Sequence, residues 1–277
     1  MKNVVAIMYD FDKTLCDRDM QEYGFIPSIG ETPKIFWEET TKCSNENNMD
    51  KILSYMFQMV RFAKEKKVAL TRDFLNKCGK SVILFEGVTE WFTKINKYGK
   101  SLGLNIEHYI ISSGLKEIIE GTKIAKEFKQ IYACEFLYDE NGNAIWPKTN
   151  VNYTTKTQYL FRINKGITDV NDDYNLNSYM EISERPIPYN NMIYIGDGIT
   201  DVPCMRLVKA NGGTSIAIYQ EGNKKTMHKL LLDDRVDFAF ASDYKESSKL
   251  FKTMQAILEE MSLRLNLENI KEENKSL

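Results

Sequence analysis

Apolar and polar positions alternate in blocks along the chain. An apolar run opens the stretch "VVAIMYDFDKTLCD" at 4–17, and four others resemble it: "EHYIISS" (107–113), "NMIYIGDG" (191–198), "TSIAIY" (214–219) and "VDFAFAS" (236–242). Each is rich in Ile, Val, Tyr or Phe. Near-continuous apolar character predicts strands covered on both faces. Segments with helical spacing lie between them. "VTEWFTKINKYGKSLG" (88–103) and "KTQYLFRINKG" (156–166) both stop on glycine, and "DYKESSKLFKTMQAILEEMSLRL" (243–265) opens on an Asp or Ser cap. Strands alternating with helices predict an α/β fold, a doubly wound parallel sheet with helices on both faces.

Two regions break this rhythm. Residues 17–82 hold no buried-strand pattern and read as helices, "PKIFWEETTKC" and "MDKILSYMFQMVRFAKEKK", separated by the polar "SNENNMD". The expected organisation is a small helical domain, 17–82, inserted into a discontinuous core made of 1–16 and 83–277. In "CEFLYDENGNAIWPK" (134–148), Asn141-Gly142 between apolar flanks predicts a hairpin. The closing "NLENIKEENKSL" is polar and expected to fray.

Composition narrows the class. With 277 residues, 43% hydrophobic and 27% charged, the chain has the make-up of a soluble globular protein. A net charge of -2 provides no field for nucleic acid or an anionic membrane. The first apolar run meets a charge too soon for a signal peptide or a membrane span. Cys16, Cys43, Cys78, Cys134 and Cys204 are scattered and odd in number, so a reduced, cytoplasmic setting is expected. His108 and His228 stand alone and are expected to be structural or on the surface. The oligomeric state is left open.

The candidate chemistry is carboxylate chemistry. Asp10 and Asp12 are two apart at the end of a strand, so they point the same way. There they open into the crevice where doubly wound sheets bind ligands. "YIGDGITD" repeats the arrangement, with Asp197 between glycines and Asp201 a turn later. If the two strands are neighbours, these carboxylates converge. Like charges ~4 Å apart repel by about 4 kcal/mol at an effective dielectric near 20. A cation or shared protons must offset that repulsion, and Mg²⁺ fits best because it suits a set of oxygen donors.

Taken together, these pieces resemble the haloacid dehalogenase (HAD) superfamily, specifically its phosphoserine phosphatase-like branch with a helical cap inserted after the first motif. The resemblance rests on four motifs in the family's order. They are Asp10-Phe11-Asp12-Lys13-Thr14, the strand-ending serine of "YIISSG", a lysine at a helix start, and "GDGITD". It covers 1–16 and about 83–245 as a Rossmann-like core, with 17–82 in the place of the cap.

The resemblance implies a Mg²⁺-dependent phosphomonoesterase working through an aspartyl-phosphate. Asp10 would be the nucleophile, Asp12 the general acid and then base, Ser112 a phosphoryl ligand, and Lys156 a charge balance. Lys165 is the alternative lysine, and Ser113 the alternative serine. Asp10, Asp12, Asp197 and Asp201 form the implied metal set, Asp12 through its carbonyl and Asp201 by orienting water or neighbouring groups. Thr14, Asp19, Ser113 and Gly114 are the implied substrate-binding positions. Asp19 stands where relatives face a substrate's ammonium group, and Ser113-Gly114 are expected to open a helix whose N–H groups meet phosphate.

A second carboxylate argues for ester hydrolysis over dehalogenation, because halide needs no proton. A phosphomutase with the same core, and a non-catalytic binding module, are the alternative readings. The implied partner is a small phosphorylated metabolite, since a closing cap excludes water and bulky substrates. Arg61 and Arg72 are the cap's candidate carboxylate clamps. Its aromatics, Tyr23, Phe25, Phe36, Trp37, Tyr55, Phe57 and Phe62, read mainly as core and secondarily as an enclosure for a base or a quaternary amine.

Overall fold

The computed structural model describes residues 3–275. The strands are β1 (Val4–Tyr9), β2 (Asn105–Leu115), β3 (Gln130–Tyr138), β4 (Ala144–Thr149), β5 (Met192–Gly196), β6 (Thr214–Tyr219) and β7 (Phe238–Ala241). They form one sheet in the order β4-β3-β2-β1-β5-β6-β7. β3 and β4 pair antiparallel, as the Asn141-Gly142 hairpin, and the other neighbours pair parallel. This is the α/β architecture that the alternating blocks predict.

β1 lies at the middle of the sheet, and Val5 through Tyr9 are fully buried, as a two-sided apolar run requires. A buried polar chain supports it. The Trp91 indole donates to the Tyr9 hydroxyl (2.8 Å), which meets His108 Nδ1 (3.0 Å), while His108 Nε2 meets Asn96 Oδ1 (2.9 Å). Indole can only donate, so the tyrosine O–H is left to donate to Nδ1 and Nε2–H to the amide. Burial pulls the His108 pKa down to about 3, so the ring is a neutral structural element. His228 is exposed.

Between β1 and α5 (Val88–Ser101) lie α1 (Phe25–Ser28), α2 (Pro33–Asn47), α3 (Lys51–Glu65) and α4 (Arg72–Gly79). Thr32, Asp50 and Thr71 cap the last three through their side chains, accepting from Ile35, from Ile52 and Leu53, and from Phe74. α2 runs four residues past the apolar pattern. The break expected over 44–50 shrinks to a short turn through Asn48, at φ 48°. Phe36 meets Phe25, Trp37 and Phe62, and Trp37 meets Tyr55. Most of these aromatics are therefore the helices' own core.

The remaining helices are α6 (Lys116–Glu120), α7 (Lys156–Lys165), α8 (Asp173–Asn177), α9 (Val202–Ala210), α10 (Lys224–Leu232) and α11 (Lys249–Lys275). α4 and α6 meet backbone to backbone. A Cβ at Gly79 would lie 2.1 Å from the Ile118 carbonyl oxygen, and one at Gly121 would lie 1.9 Å from that of Asn76. The hairpin joins the same seam, with the Ala144 amide donating to Leu70 O (2.8 Å). Arg72 pairs here with Glu135 (2.9 Å) and lies near Glu120 and Glu117, and Arg61 pairs with Glu39 (3.4 Å). Neither arginine stands free as a clamp.

Three expectations need correction. Ser113 and Gly114 do not open a helix. β2 continues irregularly to Leu115, which pairs with Cys134, and α6 is only five residues long. The last helix begins at Lys249 rather than 243, capped by Ser248, whose Oγ accepts from Phe251 N (3.0 Å). The preceding turn is held back by Tyr244, whose amide donates to Glu86 O and whose hydroxyl donates to Thr14 O. That helix does not fray after 265 but runs to Lys275; the last two residues, like the first two of the expected core, lie outside the described residues.

The long link from α7 to β5 is stapled by the helix before it. Arg162 donates to the carbonyls of Asp169 and Val170, and Lys165 to those of Leu176 and Ser178. Among the described residues no helix is long and apolar enough to cross a membrane.

Candidate active site

The register of the sheet brings the two acidic motifs together. Tyr9 pairs with Ile195 in β5, and the Asp10 amide donates to the Ile195 carbonyl (2.9 Å), so both strands end side by side. One carboxylate oxygen each from Asp10, Asp197 and Asp201 falls within 4.8 Å of the others. Lys156, the first residue of α7 and fully buried, places Nζ 3.1 Å from Asp10 Oδ1 and 2.7 Å from Asp201 Oδ1. Lys165 is committed to its carbonyls, so Lys156 is the lysine that reaches the cluster.

Each carboxylate is held differently. Asp10 Oδ1 also accepts from the Phe11 amide (2.8 Å). Asp201 is fully buried and saturated: Oδ1 takes Lys156 and the Tyr194 hydroxyl (2.8 Å), and Oδ2 takes the Gly198 amide (3.2 Å). Asp197, half-buried, meets the Thr14 hydroxyl at 3.4 Å. Asp12 is not in the cluster. Its Oδ1 accepts from the Met20 amide (2.9 Å) on the other side of the turn.

Electrostatics follow from this crowding. Burial, with Asp201 beside it, pushes the Asp10 pKa up to about 6, against the pull of Lys156. Burial, then Asp19 and Asp10, raise Asp12 well above the carboxylate range. Burial, Asp201 and Asp10 do the same for Asp197. The same carboxylates raise Lys156 despite its own burial. Asp10 and Asp201, both buried, share Lys156, and Asp197 adds a third carboxylate, which leaves negative charge to be offset. The donor set is all oxygen, with no His or Cys in the cluster, and that fits a hard divalent cation such as Mg²⁺.

The other expected residues fall as follows. Ser112 lies two residues past Ile110, the partner of Tyr9, and therefore at the same end of the sheet; it is buried, with Oγ accepting from the Gly114 amide (3.1 Å). Ser113 is half-buried, and its carbonyl accepts from the Tyr55 hydroxyl (2.8 Å). Gly114 packs against the turn, where a Cβ would lie 2.1 Å from the Met20 methyl and 3.0 Å from Asp12 Oδ2. Thr14 is fully buried and offers no open surface. Asp19 is paired with Lys13.

Sequence reading missed three contributors. Tyr194 left a trace, a hydroxyl in an otherwise aliphatic buried strand, which must find a partner. The Met20 amide that holds Asp12 left none, and Tyr55, named only as a cap aromatic, gave no sign of its bond to Ser113, because these partners are set only by the fold.

Comparison with known proteins agrees with the fold. The pattern of the haloacid dehalogenase-like hydrolases matches residues 7–206, and the chain belongs to that family. An uncharacterized protein of Borreliella burgdorferi is 30% identical over 278 residues, covering 90% of this chain and 95% of that protein. A substrate-bound phosphoserine phosphatase shares the fold with a TM-score of 0.56 at 16% identity, over 88% of this chain and 95% of that one. A phospho-aspartyl intermediate analogue of phosphoserine phosphatase gives 0.54 at 15% identity, over 91% and 98%. A HAD family hydrolase of Salmonella enterica serovar Typhi gives 0.54 at 18% identity, over 86% and 67%.

Proposed function

We propose that the protein is a Mg²⁺-dependent phosphomonoesterase that hydrolyses a small phosphorylated metabolite through a phosphorylated Asp10. The observation that carries this reading is Lys156, buried between Asp10 and Asp201 at the ends of β1 and β5. It fixes a nucleophilic carboxylate at the mouth of the sheet.

In the first step an Asp10 oxygen attacks phosphorus and the bond to the leaving oxygen breaks. Asp12, whose burial favours the protonated form, gives its proton to that oxygen. In the second step Asp12, now a carboxylate, takes a proton from water, and the water oxygen attacks phosphorus. The Asp10–phosphorus bond breaks and phosphate leaves. Lys156 holds Asp10 Oδ1 and balances charge on the phosphoryl group, and Ser112 binds a phosphoryl oxygen. Asp10, Asp197 and the Asp12 carbonyl would hold the Mg²⁺, which when bound neutralises the repulsion between carboxylate and phosphate. Asp201 is saturated by protein donors and would position Lys156 and neighbouring groups. Thr14 would steady Asp197.

Residues 17–82 act as a cap on a core of 1–16 and 83–277. Two passages of chain join them, tied where Phe85 N donates to Leu15 O (3.0 Å), and Tyr55 reaches from α3 to Ser113 beside the site. Five free cysteines suit a reducing, cytoplasmic setting.

The test is phosphate release from a panel of small phosphomonoesters, with Mg²⁺ and with EDTA. Metal-dependent release that Asp10→Asn lowers by more than about a thousandfold is expected. Near-normal turnover by Asp10→Asn would remove the nucleophile. Phosphoryl exchange within one sugar, without release to water, would make the protein a mutase.

A further inference from the structure

Lys13 sits inside the first acidic motif with its backbone at φ 59°, in the left-handed region, within a turn closed by the Leu15 amide donating to Phe11 O (2.9 Å). Its side chain is paired with Asp19. Lys13 Nζ lies 2.8 and 2.7 Å from the two Asp19 oxygens. Next to this pair the Met20 amide donates to Asp12 Oδ1. Residues 12–20 thus close into a small loop with two rungs, Asp12–Met20 and Lys13–Asp19. The Lys13 and Asp19 side chains are 40% and 29% exposed, so they form the open edge of a site whose depth is Asp10.

An unpaired Asp19 in this place would attract a cationic leaving group. Paired, it offers no net charge, only a donor edge and an acceptor edge. An ammonium group reaching Asp19 would lie beside the Lys13 ammonium, whose repulsion offsets what the shared carboxylate gives. A hydroxyl could accept from Lys13 or donate to Asp19 while the pair stays intact. An anionic group would meet Lys13 but also Asp12, Asp19 and Asp197, all of which act on Lys13. Arg61 and Arg72, the cap's candidate clamps, are engaged with glutamates.

We propose that the Lys13–Asp19 pair determines specificity, selecting small phosphomonoesters whose leaving alcohol is uncharged and hydroxyl-bearing over those that carry an ammonium group. This rests on the phosphatase reading above.

The test compares kcat/KM for glycerol 3-phosphate and phosphoethanolamine, with 4-nitrophenyl phosphate as reference, in the wild type, Lys13→Gly and Asp19→Asn. Glycine accepts φ 59° without strain. The wild type is expected to favour glycerol 3-phosphate by about tenfold, and Lys13→Gly to move the ratio toward phosphoethanolamine by about tenfold, by freeing Asp19. Asp19→Asn should not move it that way. A wild-type preference for phosphoethanolamine, or an unmoved ratio in Lys13→Gly, overturns the proposal while reference turnover leaves the phosphatase reading standing. No turnover of any of the three by the wild type with Mg²⁺ overturns both.

Discussion

Tyr55 and Ser113 are bonded across the boundary between the inserted helices and the sheet, the tyrosine hydroxyl donating to the serine carbonyl at 2.8 Å. Ser113 follows the serine assigned to phosphate, so the helices are fastened beside the reaction site rather than at a distance. Removing the hydroxyl with Tyr55→Phe is expected to cost about 1 kcal/mol of stability, measured by urea unfolding. It should also lower kcat/KM for small phosphomonoesters several-fold. An unchanged variant would mean that this bond does not hold the two parts together.

Lys156 and Lys165 lie on one helix but should respond very differently. Lys156→Met is expected to lower phosphatase turnover about 10²–10³-fold. It should also weaken the metal-free fold by roughly 3–5 kcal/mol, because Asp10 and Asp201 are left as buried charges without their cation. Lys165→Met should keep near-normal turnover and lose stability only through its carbonyl contacts. Comparable kcat values in the two variants would undo the assignment.

The carboxylate cluster predicts an unusual pH dependence for the metal-free protein. The Asp10 pKa is raised from its ordinary 3.8 to about 6, so between those values the folded state binds more protons than the unfolded state. Stability from this group is full below about pH 4 and is lost as pH rises through about 6. Asp12 and Asp197, also raised by burial and neighbouring carboxylates, act in the same direction. Thermal melts in EDTA should therefore fall as pH rises from 5 to 7.5, and Mg²⁺ should restore stability most at the upper end. A metal-free melting temperature that rises over this range would contradict the crowding.

The seam between α4 and α6 admits no side chain. Gly121→Ala would press a methyl group against the Asn76 carbonyl and is expected to destabilise by about 2–3 kcal/mol. Gly222, with nothing within 4 Å of an added Cβ, is the control. Equal unfolding midpoints for Gly121→Ala and Gly222→Ala would show that the seam can open.

The sequence carried the sheet well because its signal is local. Continuous apolar runs marked β1, β2, β5, β6 and β7, and Asn141-Gly142 marked the turn between β3 and β4. The acidic residues were equally visible, since each motif is contiguous. The pairings were not. Asp201 meets Lys156 across 45 residues, and Tyr55 meets Ser113 across 58, so no spacing rule connects them. The end of β2 was misread because Ser113-Gly114 looks like a cap, whereas the backbone there is kept extended by Leu115 pairing with Cys134. The fate of Asp19 was hidden for a related reason. A lysine three residues from the proposed nucleophile Asp10 reads as part of the motif, and its pairing with Asp19 shows only in the fold.

The order of strands also sets a timetable. Among the described strands β1 comes first, yet Val4 must find Asn105 on one side and Ala6 must find Met192 on the other. Until the ribosome has delivered both, the most apolar strand of the protein has two bare edges, a state that invites mispairing and calls for chaperones. The helices of residues 25–79, made of short-range contacts, are free to form meanwhile. The pocket of acids is assembled late relative to β1, because Asp201 follows Asp10 only after most of the intervening sheet and all the inserted helices.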